Sequence, residues 1–191
     1  MPLEKQVFAT TVEALFVRGL GARLSPEARA LLFEAGLDLE RPLAISYPLE
    51  QWKTFVRIAS ESLYPDLSPS EAHGCMGEHF LEGYLQTFVG RVVAGLAPAF
   101  GLGLTLARIS QDLRGGNNFS EVRLVDHSPQ HVELWMSELL CDHPSFMVGL
   151  ILRAQRVAGA PDVHVEVLSF DATGCTFDIR WTEAVSRVAN A

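Results

Sequence analysis

A thiol and an imidazole stand four residues apart, Cys75 and His79. On a helix that spacing puts both on one face. His73, Cys141 and His143 are the other residues in principle able to join them. A zinc site needs three or four such ligands held tetrahedrally, and only two are tied together by local spacing. The expectation is a buried thiol acting as a small apolar group, beside a solvent-facing imidazole. Glu78 and Glu82 also share a helical face, yet nothing around them marks desolvation, so a solvated face is expected. Asp126-His127-Ser128 has the residue types of a nucleophilic triad in adjacent positions. A triad is a spatial arrangement, and this run reads as a turn. No G-x-S-x-G, H-E-x-x-H, P-loop or G-x-G-x-x-G pattern occurs. The sequence predicts no enzyme and no metal site. An acid–base centre, if present, would be sought at His79, Glu82 and Tyr84.

The most specific polar cluster is Arg114-Gly115-Gly116-Asn117-Asn118. Its glycines free the backbone, its amides offer donors and acceptors, and Arg114 can grip an anion. The same composition serves a helix-to-strand turn, where Gly and Asn accept positive φ. Both readings stand open at this stage.

These residues need elements to position them. QVFATTVEALFV, residues 6–17, predicts a first strand, because Val7, Thr10, Thr11 and Val12 favour extension. Ser25-Pro26-Glu27 signals a helix start, and Gly36 its end. A second helix is predicted from Leu49 to Leu63, with Trp52, Phe55, Val56, Ala59 and Leu63 on one face. Ser68-Pro69-Ser70-Glu71 is a capping box opening a long helix predicted to reach Leu96, with a break at Pro98. A shorter helix is predicted from Leu102 to Leu113. Gly83, Thr87, Gly90 and Ala94 would then form a small-residue stripe, suited to close helix packing or to a ligand wall. After Asn118 the period becomes two. FSEVRLVD and HVELWMSEL predict a hairpin with Val122, Leu124, Val132, Leu134 and Met136 inward. A helix from Ser145 to Gly159 and a final hairpin, DVHVEVLSF-DATG-CTFDIRW, complete the order β-αααα-ββ-α-ββ, an α+β fold.

The chain has 191 residues, 48% of them apolar, enough for a sizeable core in a single domain over 1–182 with a tail at 183–191. The formal net charge of −8 argues against nucleic acid and against an anionic membrane surface as partners. Cys75, Cys141 and Cys175 are odd in number and form no C-x-x-C pair. With no signal-peptide pattern at the start, a cytoplasmic protein with reduced thiols is expected. The uncharged run at 92–107 is too short and too interrupted for a bilayer span.

Two resemblances follow from these segments. AGLDLERPL, SYPLEQW, SLYPDLSPSEA, FLEGYLQTFVGR, RGGNNFSEVRL and FDIRW resemble an uncharacterised, heavily duplicated family of myxobacterial proteins. The run from Ala35 to Leu85 is similar in rhythm to the start of haem-nitric-oxide/oxygen-binding (H-NOX) domains. The end, from Ser145, looks like that shared by those domains, vinyl-reductase-type sensor domains and transport-particle subunits. The resemblance implies a helical region packed on a twisted antiparallel sheet, with an apolar cavity between the two. The haem-binding pattern is broken here. Pro98 to Asn118 holds no His for an axial ligand. The haem family's Tyr-x-Ser-x-Arg motif falls at Trp135-Met136-Ser137-Glu138-Leu139, where only the Ser matches. No cofactor is expected.

The resulting expectation is a non-enzymatic regulatory or sensory module that binds a small apolar ligand, without haem, between the long helix and the sheet. Phe80, Tyr84, Thr87, Phe88 and Arg91 would face Val122, Leu124, Leu134 and Trp135, with Arg114, Asn117 and Asn118 at the mouth of an enclosed cavity. The alternative is a protein-interaction or adaptor module with a solid core, possibly homodimeric.

Overall fold

The computed structural model describes residues 3–182, and the tail expected at 183–191 lies outside them. Strand β1 (Gln6–Phe8) pairs antiparallel with β2 (Ser46–Pro48), a short strand in what reads from sequence as a loop. From Ala9 the chain is helical. Helix α1 (Ala9–Val12) runs into a π-helical segment, Glu13–Gly19. The predicted first strand therefore stops at Phe8. Thr11, Val12, Ala14, Leu15, Phe16 and Gly19 are all buried, a spacing that a helix brings to one side. Burial in the core overrides the extended preference of the β-branched residues.

Helix α2 (Pro26–Glu34) is capped by Ser25, whose side chain accepts from the Ala28 N–H at 3.2 Å. It ends in a Schellman motif. Gly36 has φ +102°, its N–H donates to the Phe33 carbonyl, and the Leu37 N–H reaches the Leu32 carbonyl. Helix α3 (Leu49–Leu63) buries Trp52, Phe55, Val56 and Ala59 as predicted. Trp52 also donates to the Leu140 carbonyl at 2.8 Å and meets Phe16 edge-on.

Helix α4 (Pro69–Tyr84) opens with both halves of its capping box formed between Ser68 and Glu71. It ends at Tyr84, well before Leu96. Thr87 starts a new helix instead, α5 (Phe88–Arg114): its hydroxyl donates to the Tyr84 carbonyl at 2.7 Å and accepts from the Gly90 N–H at 3.0 Å. A Thr followed by Gly three residues on is a capping site, masked in sequence by the apolar run around it. The small-residue stripe is thereby split between two helices. Gly83 abuts the Ala14 carbonyl and Gly90 the Tyr84 carbonyl, each leaving no room for a side chain. Helix α5 passes through Pro98 and bends at Gly101, with φ +75° and ψ −179°. The lost N–H of proline weakens the ladder, and the nearest glycine takes the strained backbone. By length and composition α5 alone could cross a bilayer. The bend, and the burial of Val93, Ala97, Leu102, Leu106, Ile109 and Leu113, tie it into the protein core.

Four strands follow, β3 (Val122–Ser128), β4 (His131–Met136), β5 (His164–Asp171) and β6 (Gly174–Arg180). They form an antiparallel sheet in the order β3-β4-β6-β5. Helix α6 (Ser145–Ala158) is inserted between the hairpins and ends at Gly159 in the left-handed conformation. Val122, Val132, Leu134, Met136, Cys175, Phe177 and Ile179 point into one continuous core with Phe146, Leu150 and Ile151 of α6. Leu124 is only half-buried. The α+β architecture is the expected one.

Candidate functional site

The turn between α4 and α5 builds a cavity. Thr87 reverses the chain so tightly that Phe80 and Tyr84 from α4 share a wall with Thr87 and Phe88. Ile109, Asp112 and Leu113 from the second arm of α5 lie opposite, and Thr10, Thr11 and Ala14 line the side contributed by the N-terminal helical segment. The cavity measures about 460 Å³ and is open to solvent. Its polar feature is a pair: the Tyr84 hydroxyl donates a short hydrogen bond to Asp112 Oδ2. Burial, and then the bonded carboxylate, push the Tyr84 phenol up from its ordinary value, so it stays a neutral donor. Arg108 Nε lies 3.4 Å from the same oxygen. Arg18, paired with Glu13 at 2.6 Å, contributes to the lining.

Four of the predicted site residues thus come together: Phe80, Tyr84, Thr87 and Phe88. The others do not join them. Arg91 is exposed and bonds the Gln86 carbonyl at 3.3 Å. Arg114 is exposed in the last turn of α5. The two asparagines fasten the loop rather than open it. Asn117 is buried, accepts from the Phe119 and Ser120 N–H groups and donates to the Leu113 carbonyl. Asn118 accepts from the Gln6 N–H at 2.7 Å and donates to the Glu4 carbonyl at 3.0 Å, which locks β1 to the loop. Trp135 lies on the opposite sheet face from Leu134, with the Arg123 guanidinium 4.6 Å above its ring. A one-residue alternation separates those faces. Val122, Leu124 and Leu134 do not line this cavity either, so its walls are helical.

Two further cavities flank α5. One, about 670 Å³, does lie between α5 and the β3–β4 turn, but Gly101 to Leu104, Asp126 to Gln130 and Trp181 line it, and none of the predicted site residues does. The other is an apolar trough of about 610 Å³ along the two arms of α5. It shares Phe88, Val89 and Gln111 with the Tyr84 cavity. Asp112, missed in sequence, was marked by being an acid four residues after Arg108 in an otherwise apolar helix.

The cysteine and histidine face is arranged differently from expectation. His79 is buried, not solvent-facing. Its Nε2 meets the Tyr64 hydroxyl at 2.7 Å and its Nδ1 lies 3.0 Å from Glu82 Oε2. Arg23 and Arg153 add charges at 3.5 and 3.4 Å from Glu82. Burial pushes the Glu82 carboxyl up, but the bond from His79 and these charges together hold it below its ordinary value. Cys75 is half-buried, and burial followed by the Glu78 charge pushes its thiol up, away from thiolate. Glu78 pairs with Arg156 at 2.6 Å, so Glu78 and Glu82 are not a carboxylate dyad. Tyr84 is bonded to Asp112 rather than to His79 and Glu82. None of the four cavities described for these residues is lined by Tyr64, His79 or Glu82. Among the described residues no three His, Cys, Asp or Glu side chains cluster as a metal site.

The family profile described as "Protein of unknown function (DUF2378)" matches residues 5–182. No curated protein matches the chain. Solved structures do. An H-NOX protein from K. algicida, in its Fe(II) unliganded form, superposes with TM-score 0.64 at 14% identity, covering 92% of this chain and 96% of that one. An H-NOX protein from S. oneidensis in the Fe(II)NO ligation state gives TM-score 0.65 at 12% identity, covering 92% and 99%. At such identities the likeness establishes a shared fold. The residues present do not fit a haem. The Tyr84 cavity and the trough are lined by no His, Cys or Met, and the Tyr84 phenol is held neutral by Asp112. His127, in the third cavity, is stacked 4.6 Å from His131 beside Glu133. Leu139, where the resemblance places a propionate-binding arginine, is buried and apolar.

Proposed function

The chain belongs to the DUF2378 family of proteins of unknown function, and from that premise we propose that it is a non-enzymatic sensory or regulatory module that binds a small apolar ligand without haem. The observation carrying this reading is the Tyr84 cavity. It has apolar walls, a volume within the usual range for ligand sites, and one oriented polar pair to fix a ligand's direction. The fold shared with H-NOX proteins supports a sensory role by analogy. The ligand sits between helices, at the α4–α5 turn, rather than against the sheet. A cytoplasmic location accords with the free thiols of Cys75, Cys141 and Cys175.

Native mass spectrometry of protein purified from its own cells tests the proposal. A retained small apolar molecule, lost when Ile109→Trp fills the cavity, is the expected result. A haem absorption spectrum overturns it. A second reading, an adaptor that self-associates, is favoured by the edge strand β5, where Leu168 and Phe170 are each 52% exposed. Light scattering that gives a strict monomer at high concentration removes the homodimer.

A further inference from the structure

The trough beside the Tyr84 cavity has no place in a compact-ligand site. Phe88, Val92, Leu96, Phe100 and Leu104 recur every four residues along α5, and all five are exposed and line it. Soluble chains rarely leave so regular an apolar ridge uncovered without a use for it. From Phe88 to Phe100 the ridge runs about 18 Å at the helical rise per residue. Because the trough and the Tyr84 cavity share Phe88, Val89 and Gln111, they form one continuous space with a polar end and an apolar end.

The polar end has a defined chemistry. Tyr84 and Arg108 both meet Asp112 through Oδ2, which leaves Oδ1 to accept a hydrogen bond. Asp112 and Glu13 would repel an anionic head. Arg18 and Arg108, already paired with them, would oppose a cationic one. Resting on the reading above, we infer that the ligand is an elongated amphiphile: a neutral head that donates to Asp112, and an unbranched apolar tail laid along the trough.

Calorimetric titration with primary alcohols of increasing chain length, the matching carboxylates and cyclohexanol tests this directly. Alcohol affinity is expected to rise about fourfold per methylene until the trough is filled. Carboxylates of equal length should bind about tenfold more weakly, through like-charge repulsion. Asp112→Asn should narrow that gap, because the amide oxygen still accepts but carries no charge. Leu96→Gln, and independently Val92→Asn, should flatten the chain-length dependence while cyclohexanol binding persists. If cyclohexanol binds and chain length adds nothing, the tail assignment falls and the compact site stands. If carboxylates match the alcohols, the head assignment falls. If neither cyclohexanol nor any alcohol binds, the site itself is refuted.

Discussion

Glycines do opposite work in two regions of this molecule. Where α4 meets α6 and the N-terminal helical segment, each glycine is a point of backbone contact. A side chain on Gly77 would strike the Phe146 carbonyl, one on Gly83 the Ala14 carbonyl, and one on Gly149 the Gly74 carbonyl. Along α5, Gly95 and Gly101 have nothing within reach. The apolar residues divide the same way. Met76 and Leu81 of α4 are fully buried, whereas Phe88, Leu96 and Leu104 of α5 are open. One region uses small residues to exclude space. The other leaves it, and the Tyr84 cavity and the trough lie there.

The sharpest way to break this contrast is to add one methyl group to each region. Gly83→Ala pushes a Cβ into backbone that cannot rotate away, and should cost about 3 kcal/mol in urea denaturation, the upper end of ordinary overpacking. A cost near zero would mean the α4 contact is not close-packed. Gly101→Ala should cost about 2 kcal/mol for a different reason. Space is available there, but the backbone conformation is one that only glycine adopts without strain. Gly95→Ala, in the same arm, has neither obstacle. It should stabilise the protein by about 1 kcal/mol, the difference in helix propensity. The sign change between Gly83 and Gly95 is what the comparison predicts.

The packed region was largely legible in the sequence, because its signals are local. The Ser25 and Ser68 caps, the Trp52-Phe55-Val56-Ala59 face and both hairpins are set by chemistry within a few residues, and each stands where expected. The open region was not. The Thr87 cap lies inside a run whose apolar composition continues the helix by every periodic criterion. Only the close approach of Gly90 to the Tyr84 carbonyl forces the reversal, and that is a contact, not a pattern. The strand predicted for Ala9–Val17 failed for the same reason, since its burial comes from α4, distant in sequence. Half of the site was consequently found with the wrong partner. Phe80, Tyr84, Thr87 and Phe88 meet, but they face Asp112 and not the sheet.

The smallest effect separates the carboxylates of the two regions. Glu82 belongs to the packed half, where it receives the His79 bond and lies against Arg153 of α6 and Arg23. Asp112 belongs to the open half and holds Tyr84 at the cavity. The folded state keeps Glu82 ionised below its ordinary value of 4.5, so as pH falls the unfolded chain takes up that proton first. Its stabilising contribution is therefore complete above about pH 4.5 and is lost as the pH drops through the depressed value. Glu82 is partly solvated, which limits the contribution to under about 1 kcal/mol. Glu82→Gln should lower stability by that amount at pH 7 and shallow the decline below pH 4.5, read from urea midpoints at the two pH values. An unchanged acid limb would mean that the α4–α6 contact is held by its glycines alone, with the buried His79–Glu82 pair contributing nothing to the difference between the two regions.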